Sequence, residues 1–114
     1  MDVTPLIKSG HLVIESYSDD GIVINGETYT QSFCLYPDKL QRLDVGSLQD
    51  LEADILPKIE ADVILFAVTD NLSSDDVMRL KMSDYNIDVM DIGSACRTYN
   101  VLLAEGRRVV LVKI

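Results

Sequence analysis

The chain has 114 residues, 47% of them apolar, with 10 Lys and Arg against 19 Asp and Glu for a formal net charge of −9. That length predicts one domain over 1–114, with enough apolar material for a core that needs no disulfide or metal staple. The acidic balance argues against binding a nucleic-acid backbone or an anionic membrane, since both reward clustered positive charge.

Residues 63–68 form the longest apolar run, far short of the ~18 residues a membrane-spanning helix needs. Residues 1–10 show neither a basic segment nor the apolar stretch of a secretory leader. The expectation is a cytoplasmic protein that is not an integral membrane protein.

The first third reads as antiparallel β. Residues 11–17 are rich in branched and aromatic side chains. A break at 18–21 follows, in which Asp19 and Asp20 read as turn residues and not as catalytic carboxylates, and 22–24 resume the strand pattern. Asn25-Gly26 is the strongest hairpin signal, because a type I′ turn needs positive φ at both central positions. Residues 27–36 then alternate as one strand. Tyr29, Phe33 and Leu35 share its core face, while Thr28, Thr30, Ser32 and Cys34 share the other. Pro37-Asp38 ends it.

A helix is expected from Ser47, capped with help from Asp50 and carrying Leu48, Leu51, Ile55 and Ile59 on one face, until Pro57 kinks or stops it. Residues 62–68 are apolar without alternation, the pattern of a strand covered on both faces. Ser73 or Ser74 caps a second helix with Asp75 and Asp76 in its first turn. Met78, Met82 and Tyr85 line one side of it and are expected to fill core; the other reading is a pliable methionine surface. Residues 87–91 form a strand leading through Ile92-Gly93 into a third helix. Gly106 stops that helix, and 107–114 form a last, central strand. Helices alternating with strands after residue 47 predict a layered α/β domain.

The chemistry-bearing residues are few. Cys34 and Cys96 lack metal-ligand spacing and His11 is the sole histidine. No metal site, cofactor, catalytic residue or nucleotide-binding glycine motif is therefore predicted. No Cys34–Cys96 disulfide is expected in a reducing compartment. At about 100° per residue, Ala95, Tyr99, Leu102 and Leu103 form the apolar arc of the third helix, with Cys96 at its edge and Asn100 and Arg97 just outside. Asp91, ending the preceding strand, reaches the same region.

Asp91, Cys96, Arg97 and Asn100 are therefore the candidate binding residues. A thiol near a helix start beside an arginine can be reactive. A helix end contributes only ~0.3–1 kcal/mol, however, less than about one pKa unit, and burial opposes it. A buried, inert Cys96 is the expectation. Asp91 and Arg97 read either as an anion or carboxamide site at the helix start, or as a cap and its ionic partner. Within 97–114, Arg97, Arg107, Arg108 and Lys113 stand against Glu105 alone. That segment reads either as a basic strand or as a small anion- or partner-binding patch.

Two stretches carry a resemblance. Residues 24–33, Ile-Asn-Gly-Glu-Thr-Tyr-Thr-Gln-Ser-Phe, and 89–108, Val-Met-Asp-Ile-Gly-Ser-Ala-Cys-Arg-Thr-Tyr-Asn-Val-Leu-Leu-Ala-Glu-Gly-Arg-Arg, resemble a family of small bacterial and archaeal α/β proteins. Its eukaryotic relatives include a mitochondrial assembly factor for respiratory complex I, the NADH:ubiquinone oxidoreductase. The resemblance covers nearly the whole chain. It implies a three-layer domain with a mixed central sheet, helices on both faces and an N-terminal antiparallel β-meander. The family's shared positions fall on Asn25, Gly26, Asp91, Cys96, Arg97, Thr98, Tyr99 and Asn100.

The chain departs from the family's pattern at two places. A glycine-threonine-glycine loop after the central strand is replaced by Phe66-Ala-Val-Thr-Asp70, and a tryptophan before the first helix is replaced by Leu43.

The resemblance implies a non-enzymatic interaction or assembly module with a protein partner, assisting a respiratory or other membrane complex. The alternatives are a small-molecule or anion-binding domain, conceivably a weak enzyme, centred on Asp91, Cys96, Arg97 and Asn100, and a structural subunit working as a homo-oligomer.

Overall fold

Alternation along three central strands divides the interior into two cores. The computed structural model describes residues 10–18, 21–43, 51–52, 55–69 and 72–114. Strands β1 (Ile14–Ser18), β2 (Gly21–Ile24) and β3 (Glu27–Tyr29) form an antiparallel meander. Strands β4 (Phe33–Leu35), β5 (Leu40–Arg42), β6 (Val63–Val68), β7 (Ile87–Asp91) and β8 (Val109–Lys113) form a second sheet in the order β5-β4-β8-β6-β7. That sheet is mixed: β8, β6 and β7 run parallel, while β4 pairs antiparallel with β8 and β5.

Phe33, Leu35, Val63, Leu65, Ala67, Val109 and Leu111 point into one core. Their neighbours Cys34, Ile64, Phe66, Val110 and Val112 point into the other. Strands so covered on both faces need continuous apolar sequence, which is how residues 62–68 and 107–114 read. Each fully buried Leu, Ile, Val or Phe side chain contributes about 1.5–3 kcal/mol.

The first core lies between the mixed sheet and a layer made of the meander and helix α2 (Ile92–Ala104), through Ile14, Ile22, Ile24, Ala95, Cys96, Tyr99 and Leu103. The second is closed by Leu51, Leu56, Leu72 and Leu80, the last on helix α1 (Ser74–Lys81). Helices on both faces of a mixed sheet, α1 on one and α2 on the other, beside an N-terminal meander, are the expected three-layer α/β architecture.

Local signals act as their chemistry requires. Asn25 (φ 47°) and Gly26 (φ 85°) form the β2–β3 turn. Ser73 caps α1 in a reciprocal box with Asp76. Gly106 (φ 79°) ends α2 in a Schellman motif, its N–H donating to Leu103 C=O at 3.0 Å while Arg107 N–H donates to Leu102 C=O at 3.0 Å. Leu51 and Glu52 are helical, Ile55 N–H donates to Leu51 C=O at 2.9 Å, and Pro57 sits in a 3₁₀ turn, Leu56–Lys58. The Ser47 start with Asp50 and Leu48, like the Asp19–Asp20 turn, lies outside the described residues.

Two expectations are corrected. Residues 27–36 are not one strand. β3 pairs with β2, whereas β4 pairs with β8 and β5, so the chain leaves one sheet and enters the other between Tyr29 and Phe33. The alternation survives the break: Phe33 and Leu35 are buried in the first core, Tyr29 packs against it, and Thr28 and Thr30 are exposed. Pro37-Asp38 does end the strand, in a tight connection with Tyr36 N–H donating to Lys39 C=O at 2.8 Å that leads into β5, a strand without a signal in the sequence reading. The second correction is that Met78, Met82 and Tyr85 are exposed by 58%, 78% and 41%. Helix α1 turns Leu80 and Val77 to the sheet instead.

Candidate functional site

Asp91 is the last residue of β7 and the N-cap of α2. Its Oδ1 accepts the Ser94 N–H at 2.8 Å and its Oδ2 accepts the Ser94 hydroxyl at 2.9 Å. Those two bonds, assisted by the positive charge of Arg97, hold the carboxyl below its ordinary range. The cap reading of Asp91 is therefore realised, with Ser94 as its partner.

Arg97 is exposed, and its Nη1 donates to the Tyr17 hydroxyl of β1 at 2.9 Å. Tyr17 can reach that position only because residue 93 lacks a side chain: a Cβ there would stand 2.5 Å from the Tyr17 Oη and 2.8 Å from its Cζ. Tyr17, Gly93 and Ser94 are the members of this corner that sequence reasoning missed. One signal was available. A glycine inside the first turn of a helix costs about 1 kcal/mol relative to Ala, and so asks for a steric reason.

Cys96 and Asn100 face the other way. Both are buried, with 0% and 2% of their surface exposed. Burial pushes the Cys96 thiol up to about 12, against a weaker opposing pull from Arg97. Asn100 Oδ1 accepts the Ile14 N–H at 3.2 Å and its Nδ2 donates to the Ile14 C=O at 2.7 Å. That pair of bonds imitates a strand neighbour where β1 changes register against β2 between Ile14 and Ser16.

Next to it, the Tyr99 hydroxyl lies 3.1 Å from the carbonyl oxygens of both Leu12 and Tyr36. Burial pushes its pKa up as well. Cys34 is a free buried thiol like Cys96, but it belongs to the other core, across the sheet.

The four candidate residues thus divide. Asp91 and Arg97 remain at the surface, while Cys96 and Asn100 are buried in the first core and at its edge. The helical wheel placed Asn100 outside the apolar arc because it counted only apolar neighbours. The meander covers a second arc of α2, and its backbone wants an amide there.

The basic residues disperse too. Arg97 lies in the first half of α2 and Arg107 and Arg108 follow its end, while Lys113 Nζ donates to the Thr30 and Gln31 carbonyls at 3.1 and 3.3 Å. The cavities beside residues 28–33, beside residues 36–39 and beside Leu80 are not lined by Asp91, Cys96, Arg97 or Asn100, although Arg108 lines the second of them. No group of three or more His, Cys, Asp or Glu suited to a metal occurs among the described residues.

Comparison with known proteins gives this arrangement a context. Residues 14–114 match a family described as "Protein of unknown function (DUF498/DUF598)". The chain is 31% identical over 104 residues to NADH dehydrogenase (ubiquinone) 1 alpha subcomplex assembly factor 3 of Homo sapiens, covering 84% of this chain and 56% of that protein. To its Danio rerio counterpart it is 33% identical over 107 residues, covering 87% and 62%. The chain therefore spans somewhat more than half the length of these relatives. A crystal structure of a Bordetella parapertussis protein superposes with a TM-score of 0.70 at 25% identity, over 93% of this chain and 97% of that one.

Proposed function

The chain belongs to the DUF498/DUF598 family, and from that premise we propose that it is a non-enzymatic protein–protein interaction module assisting the assembly of a respiratory or other membrane complex. The observation that carries this reading is the alignment of 84% and 87% of the chain with proteins named as assembly factors of an NADH dehydrogenase subcomplex. The site supports it. A thiol pushed up to about 12 stays protonated at neutral pH and is a poor nucleophile. Both ends of the Asn100 amide are engaged on Ile14.

What Asp91, Arg97 and Tyr17 offer is a polar corner on a rigid helix start, suited to contact with a protein partner. No helix among the described residues is long and apolar enough to cross a membrane. We propose that the protein works in the cytoplasm beside a membrane complex.

The second reading, a small-molecule or anion site, is favoured by one observation: Asp91 ends the parallel strand β7, where α/β sheets bind ligands, and Arg97 is exposed on the helix that follows. Of its four proposed residues, only these two can touch a ligand. Affinity purification of the tagged chain from its source organism separates the readings. Repeated recovery of the subunits of one membrane complex is the expected result. A co-purifying metabolite with no consistent protein partner would overturn the assembly reading in favour of the second.

A further inference from the structure

We propose that the exposed face of α1 and its C-terminal exit is a docking groove for a basic amphipathic helix of a partner protein. The proposal rests on the interaction-module reading and adds a surface and a partner chemistry to it. Five large apolar residues are exposed among the described ones, and three of them, Met78, Met82 and Tyr85, lie within eight residues of one another. Met78 and Met82 are one helical turn apart, so they form a row along α1 that Tyr85 extends.

Beside this row lies a mostly apolar groove of about 470 Å³, with Leu56 and Leu80 at its base and Met82 and Tyr85 on its wall. Ser83 lines the same groove, and its buried Oγ has no hydrogen-bond partner among the described residues. A buried hydroxyl without a partner is costly, and a polar group arriving with a ligand would satisfy it.

The chemistry of the surroundings selects the occupant. Asp75 stands one turn before Met78 on the same face and Asp84 adjoins Tyr85, both exposed. Of the nearby cations, Arg79 is bound to Glu52 at 2.8 Å, which leaves Lys81. The net rim is acidic, so a partner rich in Lys and Arg is attracted. A second copy of this acidic chain or an anionic bilayer is repelled. A row spaced at one helical turn is matched lengthwise by another helix, and unbranched methionines adapt to its side chains.

The test uses the full chain and two model peptides, one of Leu and Lys at helical spacing and one of Leu and Glu with the same apolar face, followed by NMR titration. The expected result is that the Leu/Lys peptide binds, with shifts centred on Met78, Met82, Ser83 and Tyr85, while the Leu/Glu peptide does not. The double variant Met78→Ser, Met82→Ser should bind at least about tenfold more weakly, the size of a hot-spot loss. Val101→Ser, which changes an exposed apolar residue on α2, should bind like the parent. Equal binding of both peptides, shifts centred elsewhere, unchanged affinity in the double variant, or self-association that the double variant abolishes would each overturn the proposal.

The same double variant, used in affinity purification, keeps the two levels apart. Undiminished recovery of the membrane-complex subunits sinks the groove and leaves the assembly role standing. No recovery by the parent chain sinks the assembly role itself.

Discussion

Asn100 serves as a strand partner for Ile14: its amide accepts the Ile14 N–H at 3.2 Å and donates to the Ile14 C=O at 2.7 Å, inside a core where Asn100 is 2% exposed. Helix α2 and the meander are joined by these bonds as well as by apolar contact. Asn100→Leu would leave one donor and one acceptor of Ile14 buried without partners. At about 1–3 kcal/mol for each such group, the expected loss is roughly 2–5 kcal/mol, read as a lower urea midpoint with an unchanged slope. A loss below about 0.5 kcal/mol, the range of surface substitutions, would show that β1 does not depend on this bridge.

Gly93 and Tyr17 make a second dependence between the same two elements. Gly93→Ala improves helix propensity by about 1 kcal/mol, yet it drives a methyl group into the Tyr17 ring. The expected outcome is a net loss of roughly 1–3 kcal/mol, as in other overpacked sites. In a double-mutant cycle, Tyr17→Ala should cost less in the Gly93→Ala background than in the parent, with a coupling of at least about 0.5 kcal/mol. Strict additivity would mean that the ring swings aside freely.

Arg97→Ala removes the bond to Tyr17 but does not strip Asp91 of its partners, because Ser94 supplies two hydrogen bonds to that carboxylate. Stability should change by no more than about 0.5 kcal/mol, while recovery of protein partners falls. Chemical denaturation beside a pull-down decides this. A destabilised Arg97→Ala that still recovers its partners would return Arg97 to a structural role.

The Asp91 carboxyl is held low by the Ser94 bonds, so its contribution is present above the ordinary carboxylate pKa and is lost as pH falls through the lowered folded value. Asp91→Ala should therefore be less stable than the parent at neutral pH, with the gap closing in acid. Parallel unfolding curves at an acid and a neutral pH test this. A gap that stays constant would place the effect elsewhere.

At the alkaline end the sign reverses. Burial pushes the Cys34 and Cys96 thiols from 9.0 up to about 12. The native chain keeps protons that the unfolded chain releases. This contribution is whole below about pH 9 and is lost as pH rises from there through about 12. Stability should decline over that window, less steeply in Cys34→Ala and Cys96→Ala. At neutral pH neither thiol should react quickly with a disulfide reagent until the chain unfolds. Rapid labelling of native Cys96 would contradict its buried, protonated state.

What the sequence determined by itself is what neighbours within a few residues decide. The Asn25-Gly26 turn, the Ser73 cap and the Gly106 stop follow from local backbone chemistry. The doubly covered strands β6 and β8 follow from unbroken apolar runs, and the family resemblance placed them in a three-layer α/β domain. The Asp91 to Asn100 stretch was recognisable as the place to look, but not how its side chains divide.

That division needed the tertiary structure. The wheel of α2 could not show that the Ile14 backbone sits over Asn100, or that Tyr17 occupies the space above Gly93, because those contacts cross more than seventy residues of sequence. Likewise the pattern of 27–36 is the same whether one strand continues or two belong to different sheets, since alternation records which face is buried and not which strand is paired. Met78 and Met82 have the spacing of core residues. Only the position of Leu80 against the sheet turned them outward, because an eight-residue helix can bury just one narrow face against the layer it covers.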